Sequence, residues 1–304
     1  MSLWTFYHTP PTIDEALKLL ESYQGRARVI AGGTDLLLDI RQGHAPRPEA
    51  LIDVTRIPDM NFICQEDHSL RIGAAVTHTQ IVTAPEIARY ATCLVESCGV
   101  VGGPQVRNVG TLGGNVAHAL PAGDGTTSLV VLDAEAEVVI DRVRRWLPIR
   151  DLFRGPGQSL LDQTRDLLIQ FRFKLSGTHE ATAFKRIMRP QGVALPILGC
   201  AAWVRLDETH QTYADVRVCI GPVSSTPIRA AAVEATLRGQ PVNDETLGRA
   251  VSAAHESLHP RTSKYRATAD YRQEMVEVLL RRVLTLAAQR VRSGEVIPEG
   301  VGIE

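Results

Sequence analysis

Glycine is concentrated in one stretch of this chain. Eight of the 27 residues from Gly99 to Gly125 are glycine, several times the usual frequency of about 7%. Because glycine lacks a Cβ, it adopts backbone conformations that other residues avoid and lets other groups approach its backbone closely. This stretch is therefore predicted to turn tightly or to lie against a ligand.

Two segments of the chain each contain a pair of glycines in a similar setting. The first glycine segment, Ala31-Gly32-Gly33-Thr34-Asp35, follows a strand predicted at 28–31 and precedes a short helix predicted at 36–40. The second glycine segment, Thr111-Leu112-Gly113-Gly114-Asn115, lies inside the glycine-rich stretch. Double glycines let backbone N–H groups converge on phosphate oxygens, and the start of a helix favours negative charge. The two segments are predicted to bind a pyrophosphate from two sides, with two ordinary glycine turns as the alternative.

Motifs and charge exclude several classes of ligand. The chain has neither G-x-G-x-x-G nor G-x-x-x-x-G-K-[ST], which excludes the Rossmann and P-loop types of nucleotide site. Its formal net charge is −1 at pH 7, so no broad basic surface is expected for nucleic acid or an anionic membrane. Five cysteines without a C-x-x-C pair favour reduced thiols. With no signal sequence and no long apolar run in view, the protein is expected to be cytoplasmic, without a membrane partner.

The length of 304 residues suggests two domains. Thr12 and Glu15 form a capping box that predicts a helix from Ile13 to Tyr23. Further strands are predicted at 51–54, 70–73, 136–140 and 167–173, and further helices at 77–84, 86–97 and 127–133. After a linker at 176–179, strands at 183–187, 199–206 and 214–220 precede helices at 228–237, 244–258 and 270–291. Strands followed by helices predict an α+β second domain.

The sequence His255-Glu256-Ser257-Leu258-His259 matches H-E-x-x-H, in which two histidines one helical turn apart bind zinc and the glutamate acts as general base. Pro260 follows at once and would end the helix at His259, which gives poor support to a rigid metal site. Glu274 or Glu277 would have to serve as third ligand from another helix. Surface histidines at a helix end are the favoured interpretation. A zinc hydrolase is the alternative, and no metal ligand is predicted.

Taken together, the glycine motifs resemble a known family. The residues that carry the resemblance are Ala31 to Asp35, Gly102 to Asn115 and, downstream, Pro121 and Asp124. They are similar to the FAD-binding, or medium, subunit of the molybdenum hydroxylases, the family of xanthine dehydrogenase and carbon monoxide dehydrogenase. The resemblance covers nearly the whole chain. It implies an α+β fold with a two-part FAD-binding domain of the vanillyl-alcohol-oxidase-like type over residues 1–176, followed by a smaller α+β domain, a three-stranded sheet plus helices, over residues 177–304.

The resemblance also implies where FAD binds. It assigns the pyrophosphate to backbone amides of the first glycine segment, helped by the second, and a sugar or ribityl hydroxyl to Asp124. Val101, Gly102 and Leu168 would lie beside the flavin ring, and Lys185 would make a polar contact from the second domain. No catalytic residue is implied. The implied cofactor-binding residues are Ala31, Gly32, Gly33, Thr34, Asp35, Val101, Gly102, Thr111, Gly114, Asn115, Asp124, Leu168 and Lys185.

The resemblance places substrate oxidation on other chains. It implies that a molybdopterin-binding large subunit and an iron-sulfur small subunit pass electrons to the FAD, which releases them to a soluble acceptor such as NAD. The chain itself has no cysteine spacing for an iron-sulfur cluster.

The chain departs from relatives in two places. Residues Arg189 to Ala194 carry no acidic residue where many relatives have one, which leaves the acceptor open. Val116 to Ala122 lacks the cysteine-rich loop of relatives that reduce hydroxybenzoyl-CoA.

Two alternative functions stay open. One is a free-standing FAD reductase of similar fold, such as the one acting on UDP-enolpyruvyl sugars, and the other is an assembly subunit that has lost its flavin.

Overall fold

A small parallel sheet forms near the start of the chain. In the computed structural model, which describes residues 2–189, 195–264 and 266–301, its strands are β1 (Phe6–His8), β2 (Ala27–Ile30) and β3 (Ala50–Asp53), in the order β1-β3-β2. Helices α1 (Ile13–Tyr23) and α2 (Leu36–Gln42) connect them. The Thr12 hydroxyl accepts a hydrogen bond from the N–H of Glu15 at 3.2 Å, which confirms the predicted start of α1.

The second part of the chain is a five-stranded antiparallel sheet with short helices inserted in its sequence. The strands are β4 (Ile63–Glu66), β5 (Ser69–Gly73), β6 (Glu135–Ile140), β7 (Val143–Pro148) and, after the short pair β8 (Phe153–Gly155) and β9 (Gln158–Ser159), β10 (Leu167–Lys174), and their order is β4-β5-β10-β6-β7. Between β5 and β6 lie α3 (His78–Thr83), α4 (Pro85–Tyr90), α5 (Thr92–Gly99), α6 (Pro104–Arg107), α7 (Leu112–Ala117) and α8 (Asp124–Val131). Two 3₁₀ helices span Pro58–Met60 and Ile149–Leu152. The glycine-rich stretch therefore forms the short helices and turns from the end of α5 to the start of α8.

The C-terminal part combines a three-stranded antiparallel sheet with helices. Its elements are β11 (Glu180–Met188), β12 (Pro196–Leu206), β13 (Tyr213–Gly221), α9 (Ala231–Leu237), α10 (Asp244–Ser257) and α11 (Ala269–Ser293). Side chains alternate between the two faces of a strand. Ala183 packs in the core formed with the helices, whereas Phe184 belongs to the core of the preceding parts. The sheet is thus covered by its own helices on one face and by the rest of the molecule on the other.

The predicted α+β architecture is confirmed, although the bounds of several helices differ from the prediction, two of them in ways that have a clear cause or position. The helix predicted at 86–97 is divided into α4 and α5, because the backbone leaves the helical region at Ala91 (φ −149°, ψ 53°). The helix predicted at 127–133 is α8, which begins at Asp124 and ends at Val131. Pro85 stands at the first position of α4, where proline is well tolerated.

A buried ion pair joins the C-terminal part to the middle of the chain. Glu96 of α5 pairs with Arg290 of α11 at 2.6 Å, and both side chains are almost fully buried. The carboxylate of Glu96 also accepts the backbone N–H groups of Phe184 at 2.7 Å and Glu299 at 2.9 Å. Val301 packs against Gly99, where a Cβ would overlap it. The segment after α11 therefore returns to α5 and helps to hold the parts together.

Candidate functional site

A cleft of about 470 Å³ opens where the three parts of the chain meet. Both glycine segments and strand β11 contribute residues to it. The structure brings together all but one of the residues that the resemblance implied, namely Ala31, Gly32, Gly33, Thr34, Asp35, Val101, Gly102, Thr111, Gly114, Asn115, Asp124 and Leu168. The remaining residue, Lys185, does not line this cleft.

The first glycine segment offers unpaired hydrogen-bond donors. It connects the end of β2 to the start of α2, and Gly33 adopts a left-handed backbone conformation with φ of 68°. The N–H groups of residues 32–35 have no acceptor among the residues that the structure describes. Successive backbone N–H groups that are not bonded within the protein can converge on an anion, so this run of free donors fits a ligand with several acceptor oxygens.

In the second glycine segment, the N–H groups of residues 112–115 all donate to acceptors within the protein. Leu112 donates to the Val76 carbonyl at 3.0 Å and Gly113 to the Ala74 carbonyl at 2.9 Å. Gly114 donates to the Thr111 hydroxyl at 3.0 Å, and Asn115 to the Thr111 carbonyl at 3.0 Å. The prediction that both segments present N–H groups to a pyrophosphate is therefore wrong for the second one, because two of its donors bond to Val76 and Ala74 and the other two close the first turn of α7. What it can offer a ligand are the Thr111 hydroxyl and Oδ1 of Asn115, which is buried without a partner.

The two glycine segments lie against each other. A Cβ on Gly32 would stand 2.6 Å from the carbonyl carbon of Val109 and 2.8 Å from the Cα of Gly110. Such distances leave no room for any side chain at Gly32. The absence of a Cβ there lets the backbone that leads into the second segment pack directly on the first.

A buried ion pair forms the wall of the cleft contributed by the C-terminal part. Arg186 donates through Nη1 to Oδ2 of Asp124 at 2.6 Å, and both side chains are at most 6% exposed. Burial raises the pKa of Asp124 to about 6, and the nearby positive charge of Arg186 opposes that rise. Nη2 of Arg186 donates to the Val100 carbonyl, whereas its Nε is buried without a partner.

Lys185 lies outside this cleft, and its assignment as a polar contact of FAD stays a prediction. Lys185 pairs with Glu299 at 2.5 Å, on the face of β11 that packs towards α11. Arg186, the next residue, faces the cleft instead, because successive side chains of a strand point to opposite faces. Strand alternation predicts that Lys185 and Arg186 face opposite sides of the sheet, but not which of them faces the cleft.

Sequence reasoning also missed His78, which lines the cleft at the start of α3. Its side chain is 2% exposed, and its Nδ1 has no partner among the described residues. Burial, together with the positive charge of Arg107, lowers the pKa of His78 to about 4. The imidazole is therefore neutral at physiological pH. Nothing in the sequence around position 78 distinguishes it from an exposed helix-start residue.

Further polar side chains of the cleft come from regions that carried no motif. Arg28 of β2 donates to Oε1 of Gln163 at 2.9 Å, and its Nε is buried without a partner. Asp166 also lines the cleft, and its Oδ1 makes no hydrogen bond within the described part of the chain. Tertiary contacts between β2 and the loop before β10 place these side chains in the cleft, so no local sequence pattern predicts them.

The H-E-x-x-H sequence does not form a metal site in this structure. Helix α10 ends at Ser257, so His259 lies beyond it, and His255, Glu256 and His259 are all exposed. Over residues 2–189, 195–264 and 266–301, no group of three or more His, Cys, Asp or Glu side chains could hold a metal ion. The zinc-hydrolase alternative is therefore wrong, because the two histidines do not share a helix.

The departure from relatives predicted at 189–194 falls mainly on residues 190–194, which lie outside the described residues.

The five cysteines are free thiols, with Cys64 exposed and Cys93, Cys98, Cys200 and Cys219 buried. In the described chain, no helix is both long and apolar enough to span a membrane.

Comparison with known families gives two consecutive matches. The FAD binding domain in molybdopterin dehydrogenase matches residues 3–173, which is more than half of the chain. The CO dehydrogenase flavoprotein C-terminal domain matches residues 182–287.

Individual proteins agree with these matches over nearly the full chain. The xanthine dehydrogenase FAD-binding subunit of Escherichia coli O157:H7 is 31% identical over 92% of this chain and 95% of its own length. The nicotinate dehydrogenase FAD-subunit of Eubacterium barkeri is 28% identical over 95% of this chain and 97% of its own. A solved structure of carbon monoxide dehydrogenase from Hydrogenophaga pseudoflava superimposes with a TM-score of 0.87 at 29% identity, covering 94% of this chain and 98% of that chain.

The residues of the cleft fit FAD on their own chemistry. The free N–H groups of the first glycine segment suit phosphate oxygens, and the unpartnered Oδ1 of Asn115 suits a hydroxyl donor. Val101 and Leu168 add apolar surface for a flat ring. Family and cleft together confirm the predicted cofactor, FAD. This chain belongs to the FAD-binding subunits of the molybdenum hydroxylases, a family of oxidoreductase flavoproteins.

Proposed function

We propose that this chain transfers electrons within a molybdenum hydroxylase complex and that the cleft between its three parts holds the FAD. One observation carries the proposal. The N–H groups of residues 32–35 line the cleft and have no acceptor among the described residues. A diphosphate supplies several acceptor oxygens in close succession, which suits such a run of donors. The second glycine segment, packed against the first, closes this end of the site.

The remaining residues of the first two parts then bind the other groups of the cofactor. The Thr111 hydroxyl donates to the diphosphate, Oδ1 of Asn115 accepts from a hydroxyl of the cofactor, and Gly114 leaves space for the diphosphate. Asp124 accepts a hydrogen bond from a sugar or ribityl hydroxyl through Oδ1, since its Oδ2 is taken by Arg186.

Apolar residues orient the flavin ring. Val101, Gly102 and Leu168 lie along it and exclude water from that end of the cleft. Bound FAD supplies the capacity to take up electrons singly and to release them in pairs, while the protein supplies position and electrostatics.

The substrate site belongs to a different subunit in this proposal. The named relatives are FAD-binding subunits or chains of dehydrogenases for xanthine and nicotinate. We propose that the partners of this chain are a molybdopterin-binding large subunit and an iron-sulfur small subunit, and that a soluble acceptor such as NAD receives the electrons. The free thiols support a reducing compartment, the cytoplasm.

The domain division is part of the same proposal. We place the FAD-binding domain at residues 1–176 and the C-terminal flavoprotein domain at 177–304. The two family matches end at residue 173 and begin at residue 182, on either side of this boundary. Membership of the family also favours a subunit of a complex over a free-standing FAD reductase.

The first test is FAD binding by the purified full chain. It is expected to be yellow or to take up about one FAD per chain. Gly33→Val is expected to weaken binding, because a branched residue is strained at φ of 68° and would displace the free N–H groups. Gly25→Val is the matched control, since Gly25 has φ of 84° but an open surrounding. A chain that ignores FAD, or a Gly33→Val variant that binds it as the wild type does, would overturn the assignment of the cleft.

The second test concerns partners and acceptor. Purification from the native host is expected to yield large and small subunits that contain molybdenum and iron. NADH is expected to bleach the FAD of the isolated chain, in the reverse of the proposed direction. A chain that always purifies alone would refute the complex, whereas FAD that resists NADH would refute only the choice of acceptor.

A further inference from the structure

Arg186 is held in the cleft wall by hydrogen bonds that do not use all of its N–H donors. Its side chain is 5% exposed, and it faces the cleft from strand β11. Nη1 donates to Asp124 at 2.6 Å, and Nη2 donates to the Val100 carbonyl. Nη2 also donates to Sδ of Met188 at 3.2 Å, so one N–H of Nη1 and the N–H of Nε are left without an acceptor among the described residues. Buried donors without acceptors are costly, and because Arg186 lines the cleft its guanidinium is placed to bind a ligand there.

The surroundings of Arg186 fix its orientation. Asp124 comes from the start of α8, and Val100 immediately precedes the cleft residue Val101, so the guanidinium connects two segments of the N-terminal domain. Gly199 stands opposite Arg186 in the pairing of β11 with β12. A Cβ at Gly199 would lie 3.2 Å from the ring of Phe184 and 3.5 Å from Oδ1 of Asp124. The absence of that Cβ keeps the space around the pair open.

Residues of two chemical kinds line the cleft. The first glycine segment supplies free backbone donors, which suit a diphosphate. Arg186 lines the cleft together with apolar residues, Val101, Leu195 and Pro196 among them. A flat heteroaromatic ring with carbonyl oxygens fits a wall that is apolar except for one cationic donor.

We propose that Arg186 contacts the flavin ring of the FAD, donating an uncommitted N–H of its guanidinium to an oxygen acceptor of the ring and raising the reduction potential of the cofactor through its positive charge, with Asp124 as the residue that positions it. This proposal rests on the assignment of the cleft to FAD. Reduction adds negative charge to the flavin, and a fixed cation in a buried site stabilises that charge more than water does. Asp124 holds the guanidinium but also offsets its charge.

The two members of the pair should therefore shift the potential in opposite directions. In Arg186→Gln the cation is lost and Asp124 is left uncompensated, so the reduction potential of the bound FAD falls. In Asp124→Asn the cation remains without its counter-charge, so the potential rises. Arg186→Lys keeps the charge and is expected to retain most of the wild-type potential, although it lacks the guanidinium donors and binds FAD more weakly.

A matched control lies on the same sheet. Arg217 of β13 also pairs with an acid of the N-terminal domain, Asp133, at 3.0 Å, but it does not line the cleft. Arg217→Gln is expected to leave the potential and the FAD affinity unchanged. Arg186→Gln is expected to weaken FAD binding about tenfold, the effect of losing one hydrogen bond to a charged group.

The experiment measures the reduction potential and the FAD dissociation constant of the full chain and its variants, with thermal unfolding of the FAD-free forms alongside. Opposite potential shifts in Arg186→Gln and Asp124→Asn are the supporting result. If Arg186→Gln changes only thermal unfolding, Arg186 is a structural residue and this inference is wrong, while FAD binding that still depends on Gly33 leaves the proposed function intact. If Arg186→Gln does not fold, an Asp124→Asn variant whose potential is unchanged or lower would overturn the inference by itself.

Discussion

The Cα of Gly32 packs directly on the backbone of Val109, so that a Cβ at Gly32 would lie 2.6 Å from the Val109 carbonyl carbon. Both groups are backbone, so neither can rotate away as the end of a long side chain could. The contact joins the loop after β2 to the loop before α7. It brings the free donors of one glycine segment next to the polar side chains of the other.

Gly32→Ala is therefore expected to lower the free energy of unfolding by about 1–3 kcal/mol, the usual cost of overpacking, and to abolish tight FAD binding. Urea unfolding and FAD titration measure the two effects. Gly248 of α10 has no neighbour within 4 Å of its Cβ position, so Gly248→Ala should instead stabilise the chain by about 0.5–1 kcal/mol. Equal stability of Gly32→Ala and wild type would contradict the close contact.

Gly114→Val is expected to weaken FAD binding at least about tenfold while leaving the FAD-free fold stable. A Cβ at Gly114 would meet only the Thr111 hydroxyl, at 3.0 Å, and the rest of its surroundings is the open cleft. A valine side chain would therefore occupy space that the cofactor needs. Fluorescence titration of FAD into the FAD-free chain checks this, with Gly248→Val as the control. Unchanged affinity would place the cofactor away from the second glycine segment.

Stability should depend on pH through His78. Its pKa is lowered from 6.5 to about 4 in the folded chain, mainly by burial. Between those pH values the unfolded chain binds a proton at this position that the folded chain does not, so stability falls as the pH is lowered through the window. Below the window, the loss of folding free energy that His78 causes reaches about 3 kcal/mol.

Urea unfolding from about pH 7.5 to about pH 4.5 compares the wild type with His78→Gln. The variant should lose less stability over this range, whereas His255→Gln, at an exposed histidine, should lose as much as the wild type. Parallel pH profiles of the wild type and His78→Gln would show that His78 is not held neutral.

Glu96→Gln is expected to lower the free energy of unfolding by about 3–5 kcal/mol, because it leaves the buried Arg290 cation uncompensated. The double variant Glu96→Gln/Arg290→Gln should recover part of that loss. Urea unfolding of the single and double variants gives the coupling between the two residues. A loss below about 1 kcal/mol would mean that the pair is solvated.

Local signals in the sequence predicted those features that depend on a few neighbouring residues. The N-cap residue Thr12 correctly predicted the start of α1, and the two glycine segments identified most of the cleft. The hydrogen bonds of the second segment were not predictable, because Leu112 and Gly113 donate to Val76 and Ala74, which are distant in sequence.

Residues on strands were harder to assign than residues in turns. The strand containing Lys185 and Arg186 was predicted, but the side of the sheet that would face the cleft depends on how the C-terminal part docks. The short strands β1 and β4 were hard to predict for a different reason. They lie at sheet edges and are largely exposed, so their sequences show no clear alternation of polar and apolar residues.

The hydrophobic core of the first two parts includes side chains from the C-terminal sheet, among them Phe184, Ala201 and Trp203. A gene truncated at the linker would therefore encode a fragment with a bare apolar face, prone to aggregate rather than to fold alone. Swapping C-terminal domains between relatives would require exchanging both sides of this contact. Denaturation of the intact chain should accordingly follow one cooperative transition rather than two.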